Sequence, residues 1–496
     1  MLEDVERKLR ELEIEKRAFI DGEYVEAKSR KIMTKYSSID GRDISGLSAC
    51  DASDIDDAVA AARRTYQERI WADRTPAEKK NILLKLADLM EANREELALL
   101  DTLETGRSLR NYYYDSIPKA IDALRWFAES VDKYFDHAIT PRKTEFATVT
   151  KMPLGVVGLI TPWNDPLVVD VWKFAPALLM GNSVVLKPAE QSSFSILKVA
   201  RLALEAGVPK GVFNVVPGYG HIAGKALALH PDVDGIFFTG SSEVGKLILQ
   251  YAGESNMKKV GLECGGKSPF IVTRHYPDLA RAAAVLAKNI FYNQGQICSA
   301  PSRLIIDRSV KETFLELLAE ESKKYMPSDP LSLESEVGAV VSREQYERIR
   351  SYIDSGLRDG ARVVTGMDEV EPVAGGCYVA PTILDGVRPD DRLAQEEIFG
   401  PVLVVIAFDD IKEAVEIANR SRYGLAASVW TNDYNEAYQV SRLLEVGLVH
   451  INSYGDDDMS VPFGGVKESG LGKDRSLYAF EEYSNTKTTW MHFQAL

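Results

Sequence analysis

The sequence predicts an α/β protein made of two doubly wound domains, and three observations predict it. From residue 151 onward, short apolar runs rich in β-formers alternate with helical patterns, the rhythm of a parallel sheet covered by helices on both faces. A second series of the same kind begins near 268 and continues to about 450. The chain of 496 residues, 45% hydrophobic and 27% charged, exceeds one ordinary core, so two or three packed domains are expected.

Ahead of the first series, 77–103 is strongly helical with leucines at helical spacing, a pattern of packing rather than chemistry. Strands at 155–160, 183–186, 213–216 and 235–238 then alternate with helices at 168–180, 195–206, 221–229 and 242–252. That is a dinucleotide-type half. In the second series, strands at 270–272, 304–306 and 402–406 are separated by helical segments. Neither an internal repeat nor a low-complexity linker interrupts them.

The first twenty residues are charged throughout and lack the apolar stretch of a signal peptide. The longest clean apolar run, 401–408, is far below the roughly 18 residues of a membrane span. A cytoplasmic protein is expected. A net charge of −15 with scattered basic residues argues against nucleic acid and anionic lipid as partners. The four cysteines, Cys50, Cys264, Cys298 and Cys377, show no CxxC spacing, and the six histidines form no paired cluster, so neither a metal site nor a disulfide frame is expected.

Two segments could cradle a phosphate. Gly218-Tyr-Gly220-His-Ile-Ala223 follows a strand and fits part of the G-x-G-x-x-G/A fingerprint. In Phe238-Thr-Gly240-Ser-Ser-Glu-Val-Gly245, a glycine ends a strand and a hydroxyl residue opens a helix whose free amides could meet a pyrophosphate. Pattern alone does not choose between them.

Six segments taken in order say more: Thr161-Pro-Trp-Asn-Asp-Pro166, Gly181-Asn-Ser-Val-Val-Leu-Lys-Pro-Ala-Glu190, 238–245, Leu262-Glu-Cys-Gly-Gly-Lys-Ser-Pro269, Asn293-Gln-Gly-Gln-Ile-Cys298 and Glu396-Glu-Ile-Phe-Gly-Pro-Val402. With them the chain resembles the aldehyde dehydrogenase superfamily over nearly its whole length. The tail, Asp458-Met-Ser-Val-Pro-Phe-Gly-Gly465 with Lys473-Asp-Arg-Ser476, is similar to the branch of γ-glutamyl-γ-aminobutyraldehyde and guanidinobutyraldehyde dehydrogenases. The resemblance implies a Rossmann-like NAD-binding domain over 1–136 and 152–262 and a catalytic domain over 263–465. It also implies a small β hairpin and tail, 137–151 and 478–496, that join subunits of a homodimer or homotetramer. It puts the pyrophosphate at Gly240 and Ser241 and makes Gly218 a turn.

For such an enzyme Cys298 is the nucleophile, since a thiolate adds to an aldehyde carbonyl and the thiohemiacetal can expel hydride to a nicotinamide. Gly295 permits close backbone approach there, and the other three cysteines read as buried structural residues. Asn164 and the Cys298 backbone N–H match the family's oxyanion donors. Glu263, at the end of a strand over 258–262, matches the base that activates water for thioester hydrolysis; relatives that pass the acyl group to coenzyme A usually lack this carboxylate. The cofactor set implied is Thr161, Trp163, Lys187, Glu190, Gly240, Ser241, Val244, Glu397 and Phe399, with Glu396 facing solvent. A carboxylate at Glu190 beside the adenosine ribose repels an added phosphate and favours NAD over NADP. The mechanism requires no metal.

Asp165, Trp172, Asp457 and Phe463 are the substrate residues implied. Asp165 stands where the family commonly has an aromatic or small apolar residue, and Asp456 to Asp458 run consecutively where many relatives place apolar contacts. These acids suggest a small aldehyde with a cationic tail, an aminoaldehyde or guanidino-aldehyde, with solvated loop acids and an aliphatic or aromatic substrate as the alternative. Two rival functions share the fold: a coenzyme A-acylating semialdehyde dehydrogenase and a catalytically silent structural protein.

Overall fold

The computed structural model describes residues 5–455 and 457–494. Five parallel strands form the centre of its first sheet, in the spatial order Phe213–Val215, Ser183–Lys187, Val156–Ile160, Gly235–Thr239, Lys259–Glu263. In chain order this is 3-2-1-4-5, the doubly wound arrangement. Antiparallel strands Ala18–Ile20 and Glu23–Val25 extend one edge, and Gly470–Leu471 closes the other against Lys259–Glu263. Val156–Ile160 and Ser183–Lys187 are buried along their whole length, as strands covered on both faces must be.

The second sheet runs Arg362–Thr365, Thr382–Asp385, Val402–Phe408, Arg303–Asp307, Pro269–Val272, Ala426–Trp430, Leu448–Ile451. Every pairing in it is parallel except the first. A separate antiparallel sheet sets Glu145–Pro153 between His137–Arg142 and Ser484–His492.

Two expected helices depart in detail. The stretch 77–103 is two helices, Pro76–Ala92 and Arg94–Thr105, because Asn93 leaves helical geometry (φ −105°, ψ 12°) and its side-chain amide donates to the Leu89 carbonyl at 2.7 Å. Thr75 and Glu78 start the first with a reciprocal capping box, and Pro76 is preset for its first turn. The helix expected at 221–229 opens as a wide turn over Gly220–Gly224 before Lys225–Leu229.

The helix Pro166–Leu179 carries the site's first wall. It is buried almost everywhere, and Lys173 inside it is held by an ion pair to Asp474, 3.0 Å away. No helix among the described residues is long and apolar enough to cross a membrane.

Candidate active site

The order of the first sheet reverses between Val156–Ile160 and Gly235–Thr239. Such a switch point leaves a crevice outside the carboxyl ends of the strands, where 161–165 and 240–241 lie. Ser241 caps the helix Ser242–Glu254, its hydroxyl accepting the Val244 N–H at 3.3 Å; the remaining first-turn amides lack intrahelical acceptors, the arrangement that suits an anion. Thr239 Oγ1 beside it is buried without a partner. At the neighbouring strand end, Lys187 Nζ donates to the Pro188 carbonyl at 2.6 Å and lies 3.5 Å from the Glu190 carboxylate. Glu190 accepts the Gly220 N–H at 2.6 Å, so the amide of the rival glycine segment is already bonded to a carboxylate. Burial raises the Glu190 pKa, but Lys187 and the Gly220 N–H hold it below the usual range. Trp163 meets Phe399 edge-on, with ring centroids 5.2 Å apart.

Glu263 is the last residue of its strand rather than the residue after it. It is buried, and among the described residues neither carboxyl oxygen has a hydrogen-bond partner. Burial and the neighbouring Asp474 push its pKa well up, against the pull of Lys173 and Lys473. Two glycines follow. Gly266 N–H donates to Glu397 Oε1 at 2.9 Å. A Cβ on Gly265 would stand 2.1 Å from Glu397 Oε2, and one on Gly266 would stand 2.5 Å from the Cys298 carbonyl. Only glycines allow this approach, and it gathers the Glu263 strand end, Glu397 and Cys298 around one turn of backbone. Glu397 is pushed up to about 7, chiefly by burial. The half-buried Cys298 thiol is pushed up to about 12 by burial and by Glu397 and Glu263, so it rests protonated.

The loop leading to Cys298 is strained. Asn293 and Gln294 take positive φ, 50° and 56°, conformations that bulky residues hold only when the surroundings impose them. Gly295, at φ 67°, lies so close to Gly400 that a Cβ would meet its carbonyl at 2.1 Å. Asn293 Nδ2 donates to the Asn164 carbonyl at 2.8 Å, tying this loop to the segment before Pro166. Cys50, Cys264 and Cys377 are free and buried.

The rim acids are not free. Asp165 accepts from Arg107 at 3.0 Å and from the Ser116 hydroxyl. Buried Arg107 also donates to the Tyr292 hydroxyl, and its guanidinium lies 4.8 Å from the Tyr292 ring. Asp457 is 3.3 Å from Arg475 and 3.2 Å from His450. Burial raises its pKa, but His450 and Arg475 hold it below the usual range. Asp458 accepts the Ser460 N–H at 2.8 Å, and Asp456 lies outside the described residues. Asp165 and Asp457, the acids expected to attract a cationic tail, are thus each paired with an arginine. Trp172 and Phe463 do come together, with centroids 5.7 Å apart. Glu396, expected to face solvent, has a side chain 39% exposed and accepts from Tyr352 at 2.7 Å and Arg392 at 2.8 Å.

Arg107, Lys173, Asp474 and Arg475 were assigned no role from the sequence. Lys173 had a signal, a cation inside a helix otherwise almost wholly apolar, which demands a buried partner. Arg107 had none, since its side-chain hydrogen-bond partners are 58 and 185 residues away. No group of three or more His, Cys, Asp or Glu side chains placed to hold a metal ion occurs among the described residues.

The model of the aldehyde dehydrogenase family matches residues 24–489. The chain is 44% identical over 484 residues to the NADP/NAD-dependent aldehyde dehydrogenase PuuC of Escherichia coli (strain K12), covering 98% of this chain and 97% of the relative. Among solved structures it is similar to the indole-3-acetaldehyde dehydrogenase AldA of P. syringae in complex with NAD+ and IAA, at 47% identity, 99% coverage of each chain and a TM-score of 0.97. The γ-glutamyl-γ-aminobutyraldehyde dehydrogenase of Burkholderia cenocepacia is similar to the same degree, at 47% identity, 99% coverage of each and a TM-score of 0.97.

Proposed function

The chain belongs to the aldehyde dehydrogenase family and oxidises aldehydes, and from that premise we propose that it does so through a thioester on Cys298, with NAD as cofactor and Glu263 as the hydrolytic base. The observation that carries this is the Gly265-Gly266 turn, against which both the Cys298 carbonyl and the Glu397 carboxylate lie, directly after Glu263.

Cys298 loses its proton to Glu263, which passes it to solvent before the hydrolytic step, and the sulfur bonds to the aldehyde carbon. The charge that develops on the carbonyl oxygen takes hydrogen bonds from the Asn164 side-chain amide and the Cys298 N–H. When that oxyanion collapses, the carbon gives up hydride, and NAD, when bound, supplies the acceptor. The thioester left behind is hydrolysed by a water whose proton passes to Glu263, releasing the acid and the thiol. Glu263 suits that work because nothing else in the site holds its oxygens. A carboxylate base also favours hydrolysis over transfer to coenzyme A.

For the cofactor, Gly240, Ser241 and Val244 would hold the pyrophosphate at the helix start, Lys187 and Glu190 the adenosine ribose, and Thr161, Trp163, Glu397 and Phe399 the nicotinamide end. The unpartnered Thr239 hydroxyl and the open first-turn amides fit such a group. The P. syringae relative is described with NAD+ bound, and the E. coli relative as NADP/NAD-dependent. Glu190 makes NAD the preferred form here.

The substrate is a small aldehyde with a polar, nitrogen-bearing chain of the kind named for the Burkholderia relative. The hydrophilic rim around Asp165 and Asp457 supports it. The 1–136 and 152–262 segments serve the cofactor and 263–465 the chemistry, in the cytoplasm. The segments 137–151 and 478–496, which expose Ile139, Trp490 and Phe493, join subunits of a homodimer or homotetramer.

Cys298→Ala is the test of the reaction. The purified variant should form no NADH from any aldehyde while still binding NAD in calorimetry. Substantial NADH formation by it would remove Cys298 from the mechanism.

A further inference from the structure

Two stretches of the C-terminal segment run side by side against the end of the Glu263 strand. The N–H and carbonyl of Phe463 bond the carbonyl and N–H of Asp474, each at 2.8 Å, which lays 463–465 along 472–474. Between them, Gly470–Leu471 pairs antiparallel with Leu262 and Glu263. A Cβ on Gly464 would stand 2.5 Å from Glu263 Oε1 and 3.0 Å from Lys473 Cδ. The space left by the missing side chain is therefore bounded by both the buried carboxyl and the lysine stem.

The half-buried Lys473 ammonium donates to the Gly464 carbonyl at 2.7 Å and to the Gly465 carbonyl at 3.2 Å. Among the described residues it pairs with no carboxylate. Lys173, the other cation that faces Glu263, lies 3.0 Å from Asp474 and is neutralised by it. Two backbone carbonyls beside a buried carboxyl would oppose its ionisation. The Lys473 ammonium binds both and sets a positive charge in their place, in surroundings where a charge is weakly screened.

The groups that face Glu263 are few. Burial has the largest effect on it; Asp474 and Glu482 also disfavour its charged form, and Lys173 and Lys473 favour that form. The Cys264 and Cys298 thiols and the Tyr483 hydroxyl adjoin the same carboxyl, and burial keeps all three protonated. With Lys173 and Asp474 cancelling each other, Lys473 is the cation that remains to act on the base.

We propose that Lys473 is a positioning residue for the hydrolytic base: its ammonium, held on the Gly464 and Gly465 carbonyls, supplies the uncompensated positive charge that favours the carboxylate form of Glu263, the form that takes a proton from water. The assignment rests on Glu263 acting as that base, as argued above. It adds the group that lets a carboxyl without a hydrogen-bond donor on either oxygen reach its reactive state.

The test follows kcat with NAD and one aldehyde, from about pH 5 to pH 10, in the wild type, Glu263→Gln, Lys473→Met and Lys473→Arg. In the wild type, turnover should climb as Glu263 loses its proton. Lys473→Met keeps the stem and loses the charge, so the same climb should move to higher pH by about one unit, the size expected on removing an opposite charge close to a carboxylate. At a fixed pH on the climb, turnover should fall by about tenfold, and above the climb the wild-type rate should return. Lys473→Arg keeps the charge and should leave the climb near its wild-type position. Lys473→Gln, uncharged and still able to donate to a glycine carbonyl, repeats the measurement if Lys473→Met does not fold. A loss that is equal at every pH marks a structural role and overturns the proposal. So does a shift of the same size in Lys473→Arg, which would trace the effect to shape rather than charge. A Glu263-dependent profile that Lys473→Met leaves in place overturns the role of Lys473 while the base stands. A profile that Glu263→Gln leaves unchanged removes the base, and the role of Lys473 with it.

Discussion

Glu263 and Asp165 are carboxylates of the same crevice, yet Glu263 has no donor on either oxygen, while Asp165 accepts from Arg107 and Ser116. The centre of the site holds acids that burial drives toward the neutral form, Glu263 and Glu397. The rim holds acids fixed by arginines. An unpartnered buried carboxyl costs about 1–3 kcal/mol, and beside Cys298 such a group is suited to exchange protons. A paired carboxylate gives up that freedom and gains a fixed position. The contrast assigns proton transfer to the centre, and positioning or recognition to the rim.

The contrast breaks first at Glu263. Glu263→Gln keeps the shape and removes the base, so steady turnover should fall by about 10²–10⁴ while an NADH burst of about one per site survives. Rapid-mixing absorbance at the NADH band reads both quantities. Turnover equal to wild type would move the base elsewhere.

The pH profile sharpens the same point. Burial raises the Glu263 pKa, so the carboxyl binds a proton at pH values where an exposed glutamate has lost it. Thioester hydrolysis should therefore climb as pH rises through that elevated pKa, well above 4.5. The climbing limb should disappear in Glu263→Gln. A hydrolysis rate that is flat over this range in the wild type would mean that Glu263 is ionised at rest.

At the rim, Arg107 bonds both Asp165, next to Asn164, and Tyr292, next to Asn293, and so connects the oxyanion side with the nucleophile loop. Arg107→Met should lower kcat by roughly 30-fold with little change in KM, the loss expected on breaking a buried charge pair that positions other groups. Arg107→Lys should recover part of it. A change confined to KM would make Asp165 a substrate contact instead.

These clusters also divide what the sequence could reveal. Strand and helix alternation, with glycines and apolar runs, made both doubly wound sheets legible, because those signals are local. The residues proposed for the chemistry lie in short motifs, each a contiguous loop such as 293–298. The state of the acids was not. Whether Asp165 or Asp457 stands free depends on Arg107, 58 residues distant from Asp165, and on Arg475, 18 residues from Asp457. Charge patterning along the chain cannot report such pairs. The break at Asn93 was hidden for another reason: a side-chain amide that bonds the preceding turn looks like an ordinary polar residue of a helix face.

Glu190 lies between the two classes and gives the smallest expected effect. Like the rim acids it is held below its usual pKa, by Lys187 and the Gly220 N–H, and like the central acids it is proposed to meet a ligand, the adenosine ribose of NAD. Its side chain is 32% exposed, so solvent weakens its repulsion of a 2′-phosphate. Glu190→Gln removes the charge and keeps a hydrogen-bonding side chain. The ratio of kcat/KM for NAD over NADP should fall by about fivefold, about 1 kcal/mol, mostly through improved NADP affinity. Titrating both cofactors against wild type and variant measures it directly. A wild type that already prefers NADP, or a variant with an unchanged ratio, would show that the carboxylate does not face the ribose, and that its pairing with Lys187 is structural, like that of Asp165 with Arg107.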